Sequence, residues 1–160
     1  MAQGFFGNRV IGWPVALLRV AMGVLFLEDA WGKWTNFAQF SAPDGMHAYM
    51  IAHLDKAFPF YRGFLAFAAD HYFVFAWLVA LGILGSGIGL LLGFVTRFSA
   101  LVAAFMVFNF WLMKGAVFWD ISSHDSLCIL IFLMLMFTGA GRVLGIDYFL
   151  AKKHPNNLLW

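Results

Sequence analysis

Long apolar stretches alternate with short polar breaks along this chain. Four runs approach the length of about 20 predominantly apolar residues that a membrane-crossing helix needs: 11–27, 72–95, 98–118 and 127–144. Extended into their flanks, they predict helices over roughly 11–30, 71–95, 98–118 and 124–144. The longest connection runs from Asn36 to His71. From Met46 to Leu54 its apolar positions recur at helical spacing, which predicts a short amphipathic helix on the membrane surface or a re-entrant segment. Phe58 to Phe64 reads as an aromatic interfacial anchor. A connection of this length is expected to cover something. The predicted fold is all-α, an integral membrane four-helix bundle with a long, partly helical loop between helices 1 and 2, residues 1–160 forming a single domain.

Composition supports a membrane setting: 63% of the 160 residues are hydrophobic and 11% charged, outside the range of soluble globular domains. Arg19 interrupts the first run, and Glu28-Asp29 follows it, so the segment reads as a retained helix rather than a cleaved leader. With the N-terminus inside and the helices alternating, Arg9, Arg97, Arg142, Lys152 and Lys153 fall in the cytoplasm. Lys33, Lys56, Arg62 and Lys114 fall outside. This small positive-inside excess predicts N-in/C-in. Nothing in the pattern supports nucleic-acid binding.

The polar groups inside the apolar runs are the candidate chemistry. Arg19 is expected near the membrane midplane, where an ionised group costs several kcal/mol without a partner. It can serve as half of a buried ion pair, contact a ligand bearing a carboxylate, oxyanion or carbonyl, or snorkel to the surface. Lys33 falls within about 40° of Arg19 around the first helix. Gly85, Gly89 and Gly93 repeat at every fourth position; such a stripe lets two backbones approach closely, or offers a flat face to a planar ligand. His47, His53, His71, His124, Asp70, Asp120 and Asp125 gather on the outer side, as solvated helix ends or as a polar mouth for a small anion or for protons. Ser122 or Ser123 is a candidate helix cap. The single cysteine, Cys128, reads as a small buried hydrophobe or as a sulfur-carrying nucleophile. His71 and His124 have the matched depth a haem needs, but no Cys-x-x-Cys or His-Glu-x-x-His motif is present, and neither haem nor metal is expected.

Four segments, in order, resemble the DoxX/DoxD family. The first is Leu18-Arg19 through Gly23 and Phe26 to Gly32-Lys33. The second is Gly89 through Gly93 to Thr96-Arg97 and Ala100. The third is Asn109 to Leu112, and the fourth runs from Thr138 through Gly141-Arg142 and Gly145 to Asp147. The DoxD branch implies the large, membrane-embedded subunit of a thiosulfate:quinone oxidoreductase, which oxidises thiosulfate to tetrathionate and passes electrons to quinone. It also implies a DoxA-like partner polypeptide. The first expectation is therefore an oxidoreductase subunit with quinone as substrate, its ring against aromatic residues such as Phe26, Phe110 or Trp111. In it Arg19 or Asn109 donates to a quinone carbonyl, His124 or Asp125 manages protons, and Lys33 and Lys114 attract thiosulfate; the outer His/Asp cluster belongs to no motif of the family. The expected location is the cytoplasmic membrane of a prokaryote, in contact with lipid. The competing expectation is a non-catalytic accessory subunit of a larger respiratory or photosynthetic complex. A small transporter is a third.

Overall fold

The computed structural model describes residues 12–118 and 124–154, and every regular element among them is helical. In chain order these are α1 (Gly12–Thr35), α2 (Phe37–Phe40), a π-helical turn (Pro43–His47), α3 (Ala48–His53) and α4 (Arg62–Asp70). There follow α5 (Tyr72–Leu92), α6 (Thr96–Lys114), α7 (Asp125–Thr138), a 3-10 turn (Ala140–Arg142) and α8 (Ile146–Lys153). Arg9, Asp120, the candidate caps Ser122 and Ser123, and the apolar end at Trp160 lie outside the described residues.

Among the described residues two helices, α5 and α6, are long and apolar enough to cross a membrane. The other two expected spans differ from their predicted form. α1 is longer than expected, at 24 residues, but it carries Arg19, Glu28, Asp29 and Lys33. α7 is shorter: the run expected to be helical to 144 stops at Thr138, after 14 residues. Gly139, in the left-handed region at φ 61, ends it, and the chain turns over the bundle end instead of continuing. Glycine adopts that conformation at no steric cost, which makes it the common stop signal of a helix.

α1 packs most extensively on α5, α6 on α7, and α5 on α6. The α1–α5 contact does not use the Gly85/Gly89/Gly93 stripe as one face. It closes through Gly23 and Gly87: a Cβ on Gly23 would lie 2.7 Å from the backbone nitrogen of Leu91, and one on Gly87 would lie 3.0 Å from the Leu27 side chain. Gly85 faces open space, Gly89 is buried against Ser99, and Gly93 caps α5. Periodicity identified small residues but not the partner each one meets. Between α6 and α7 the alanines Ala100, Ala103 and Ala104 make room for Phe132 and Leu135, which are fully buried. The outer surface carries Leu17, Leu78, Leu81, Phe98, Phe105 and Phe137, all exposed. An apolar exterior of this extent belongs in lipid rather than water.

The connection from 36 to 71 is structured throughout much of its length and does not lie apart on the surface. Met46, Met50, Leu65, Ala68 and Ala69 are buried, and they pack with Ala76 of α5 and Met113 of α6. The segment covers one end of the α5–α6 pair.

Candidate functional site: a capping knot and two adjoining cavities

Polar side chains concentrate at the two opposite ends of the bundle. At the end where α5 turns into α6, Arg19 is 1% exposed. Its Nη1 donates to the carbonyls of Ala140 at 2.8 Å and Val143 at 3.1 Å, and its Nη2 donates to Leu144 at 3.0 Å. A helix that stops at Thr138 leaves its last carbonyls without intrahelical donors. The planar guanidinium serves the turn that follows that end, not the helix's own last carbonyls.

Asp147, fully buried at the start of α8, completes the knot. Its Oδ1 accepts the Val95 N–H at 2.7 Å and its Oδ2 accepts the Thr96 N–H at 2.8 Å. Its own N–H donates to Gly93 O at 2.8 Å. The N-terminus of α6 has no cap from its own Val95; a carboxylate about 50 residues further along supplies one, with charge complementing the helix dipole. Asp147 also attracts Arg19 electrostatically. A Cβ on Gly141 would strike both the Asp147 carboxylate and the Thr96 hydroxyl, and one on Gly93 would strike Arg19 and Gly145. Arg19 is therefore level with the α5 cap at Gly93, not near the middle of the bundle as the sequence suggested. Its neighbours are turn carbonyls.

The opposite end holds two cavities. One, of about 300 Å³, lies among α3, α4, α5 and α6. Its walls are aromatic and aliphatic, with four methionines, and its polar side chains are Tyr61 and Asn109. Tyr61 Oη donates to Asn109 Oδ1 at 2.8 Å, and Asn109 Nδ2 donates to Phe105 O at 2.7 Å. The Tyr61 phenol is a protonated donor at neutral pH, and burial pushes it further up, from 10.0 to about 12. The second cavity, of about 520 Å³, is lined by Lys33, Lys114, Asp29 and Tyr49. It shares Met46, Val79 and Phe110 with the first, so a wall of three side chains separates them. Lys33 pairs with Asp29 one helical turn earlier. Lys114 pairs with Asp125 at 2.8 Å.

The structure thus brings Lys33 and Lys114 to one cavity, Asn109 and Phe110 to its neighbour, and Asp125 onto Lys114. His124 is exposed beside Asp125 at the start of α7. Trp111 does not line either cavity; it packs against Phe58 and Phe108 with ring centroids 5.1 and 5.6 Å away. Phe26 is edge-on to Phe132 in the core. Arg19 and Lys33 share α1 but stand 14 residues apart, about 21 Å at the helical rise, too far to hold one small ligand. His53 hydrogen-bonds to Tyr49 O within α3, and His71, which follows α4, to Phe67 O of that helix. Cys128 packs against the core that contains Phe132. Sequence reasoning missed Tyr61, which sits in the aromatic stretch taken for an anchor. Its hydroxyl among phenylalanines was the available signal.

An apolar exterior and two membrane-capable helices among the described residues point to a helical membrane protein. The family model described as "TQO small subunit DoxD" matches residues 14–160, and the chain belongs to that family. The description makes it the small subunit, where the resemblance had implied the large one. No curated protein and no solved structure matches the chain.

Proposed function

We propose that this chain is the membrane subunit of a thiosulfate:quinone oxidoreductase, acting with a partner polypeptide, and that its 300 Å³ cavity takes the quinone ring. The observation carrying this reading is an apolar cavity whose hydrogen-bonding side chains are one joined pair, Tyr61 and Asn109. A quinone needs this combination: apolar walls for the ring and a few placed polar groups for its oxygens. One N–H of Asn109 is engaged with Phe105 O, which leaves the second to donate to a quinone carbonyl. Tyr61 fixes the amide orientation.

The reaction balances without a further redox group. Two thiosulfate dianions each give up one electron and join through a new S–S bond as tetrathionate. The quinone takes both electrons and two protons to become quinol. In this reading Lys33 and Lys114 draw the dianions to the neighbouring cavity, and His124 with Asp125 exchange protons at its water-facing end. The protein sits in the cytoplasmic membrane of a prokaryote with both termini inside.

A second reading, a non-catalytic accessory subunit, is favoured by one observation. Both lysines already pair with carboxylates, Asp29 and Asp125, which an incoming oxyanion has to displace. The deciding experiment is thiosulfate-dependent reduction of a short-chain quinone by the complex purified from membranes, wild type against Asn109→Leu. The proposal expects turnover in the wild type and a KM for quinone raised about tenfold in the variant, roughly 1.4 kcal/mol. Turnover with unchanged quinone kinetics in the variant rejects the cavity assignment. An intact complex with no thiosulfate-dependent turnover leaves the accessory reading.

A further inference from the structure

At the knot end, two open grooves run side by side over the chain that leaves α7. One, of about 750 Å³, passes between the start of α1, the 3-10 turn and α8. The other, of about 630 Å³, continues from it towards Leu92, the last residue of α5. They share Gly12, Arg142, Val143 and Tyr148. Leu92 ends a membrane-capable helix, which sets the grooves at the depth where hydrocarbon gives way to headgroups.

The chemistry along the grooves is graded. Arg142 and Lys152 line the larger one, both exposed, together with the Tyr148 phenol. Among the described lining residues, these two cations are the charged side chains. The smaller groove is mostly apolar, with exposed Trp13, Leu144, Ile146 and Phe149. The floor is the turn that follows α7, and free carbonyls there would repel an anion. Arg19 occupies those carbonyls from beneath, because its three carbonyl partners are Ala140, Val143 and Leu144. Ala140 and Val143 line the larger groove, and Val143 and Leu144 the smaller.

We propose that this double groove binds one anionic phospholipid, its phosphate between Arg142 and Lys152 and its acyl chains over Trp13, Leu144, Ile146 and Phe149. Basic side chains at the membrane surface attract anionic lipid, and a trough with a cationic end and an apolar end selects a lipid over a free phosphate. The site lies at the far end of the bundle from the Tyr61–Asn109 cavity and does not depend on that assignment.

The test uses the full chain in nanodiscs of phosphatidylcholine containing a minor fraction of phosphatidylglycerol, with lipid retained after delipidation counted by native mass spectrometry. The expected result is one phosphatidylglycerol retained at least about tenfold over phosphatidylcholine, with inorganic phosphate failing to displace it. In Arg142→Gln/Lys152→Gln the preference is lost, and in Arg142→Lys/Lys152→Arg it is kept. Equal retention of the two lipids by the wild type overturns the proposal, as does displacement by phosphate, or undiminished preference in the glutamine variant. Should the glutamine variant not fold, the wild-type lipid comparison and the charge-conserving variant still decide.

Discussion

The Thr96 amide donates to the Asp147 carboxylate at 2.8 Å, joining residues 51 positions apart. This bond ties two of the segments that carry the family resemblance, the one around Thr96-Arg97 and the one ending in Asp147. Arg19, from a third such segment, closes the same knot through Ala140. These segments thus meet as architecture at one bundle end.

Replacing Asp147 removes both caps at once. Asp147→Asn keeps the shape but leaves one amide nitrogen facing a backbone N–H. A destabilisation of about 1–3 kcal/mol is expected, the cost of a buried unsatisfied group. Thermal unfolding in detergent measures it, and a melting temperature equal to wild type refutes the capping role.

Arg19→Met strands three carbonyls and the Asp147 charge, and a loss of about 3–5 kcal/mol is expected. Arg19→Lys keeps the charge but not the planar fork that reaches Ala140, Val143 and Leu144 together, so it falls between wild type and Met. Chemical denaturation of the three proteins in one detergent ranks them; a lysine variant as stable as wild type contradicts the role of the fork.

The glycines separate cleanly. Gly85→Leu projects into open space and accumulates normally in membranes. Gly23→Ala forces its new methyl against the Leu91 backbone and costs about 1–3 kcal/mol by overpacking. Equal tolerance at both positions contradicts the observed α1–α5 interface.

Tyr61 supplies a pH dependence. Its folded pKa, about 12, lies above the ordinary value of 10.0. The folded state therefore holds the proton more tightly than the unfolded state. The associated stability is fully present below pH 10.0 and is lost as pH rises towards about 12, as linkage requires. Spectrophotometric titration of tyrosinate in wild type and Tyr61→Phe isolates the group. A late-titrating tyrosine that survives the substitution belongs to another residue.

Much of the helical content was legible because apolar runs report burial in either lipid or protein. The run through α5 and α6 was placed within a few residues. The end of α7 was not, since apolar residues continue past Thr138 and the stop is made by the backbone freedom of Gly139. At the site, side-chain type pointed to Lys33, Asn109 and Lys114, but their neighbours depend on tertiary contacts. Tyr61 reaches Asn109 across 48 residues, and Asp147 reaches Val95 across 52. Neither pairing leaves a periodic trace. The depth of Arg19 was misjudged because counting from the apolar boundaries ignores where the neighbouring helices end.

The brevity of α7 has a consequence for the surrounding bilayer. Its 14 residues extend about 21 Å, against a hydrocarbon thickness of about 30 Å. α7 packs along α6, a helix that is long enough. If α7 crosses the bilayer beside α6, the two leaflets on its flank pinch inward or water descends to meet the helix ends, at a cost of fractions of a kcal/mol per Å. The start of that helix carries Asp125 beside Lys114, so the dimple opens over the ion pair. A dissolved anion approaching that end would then meet thinner oil than elsewhere around the protein.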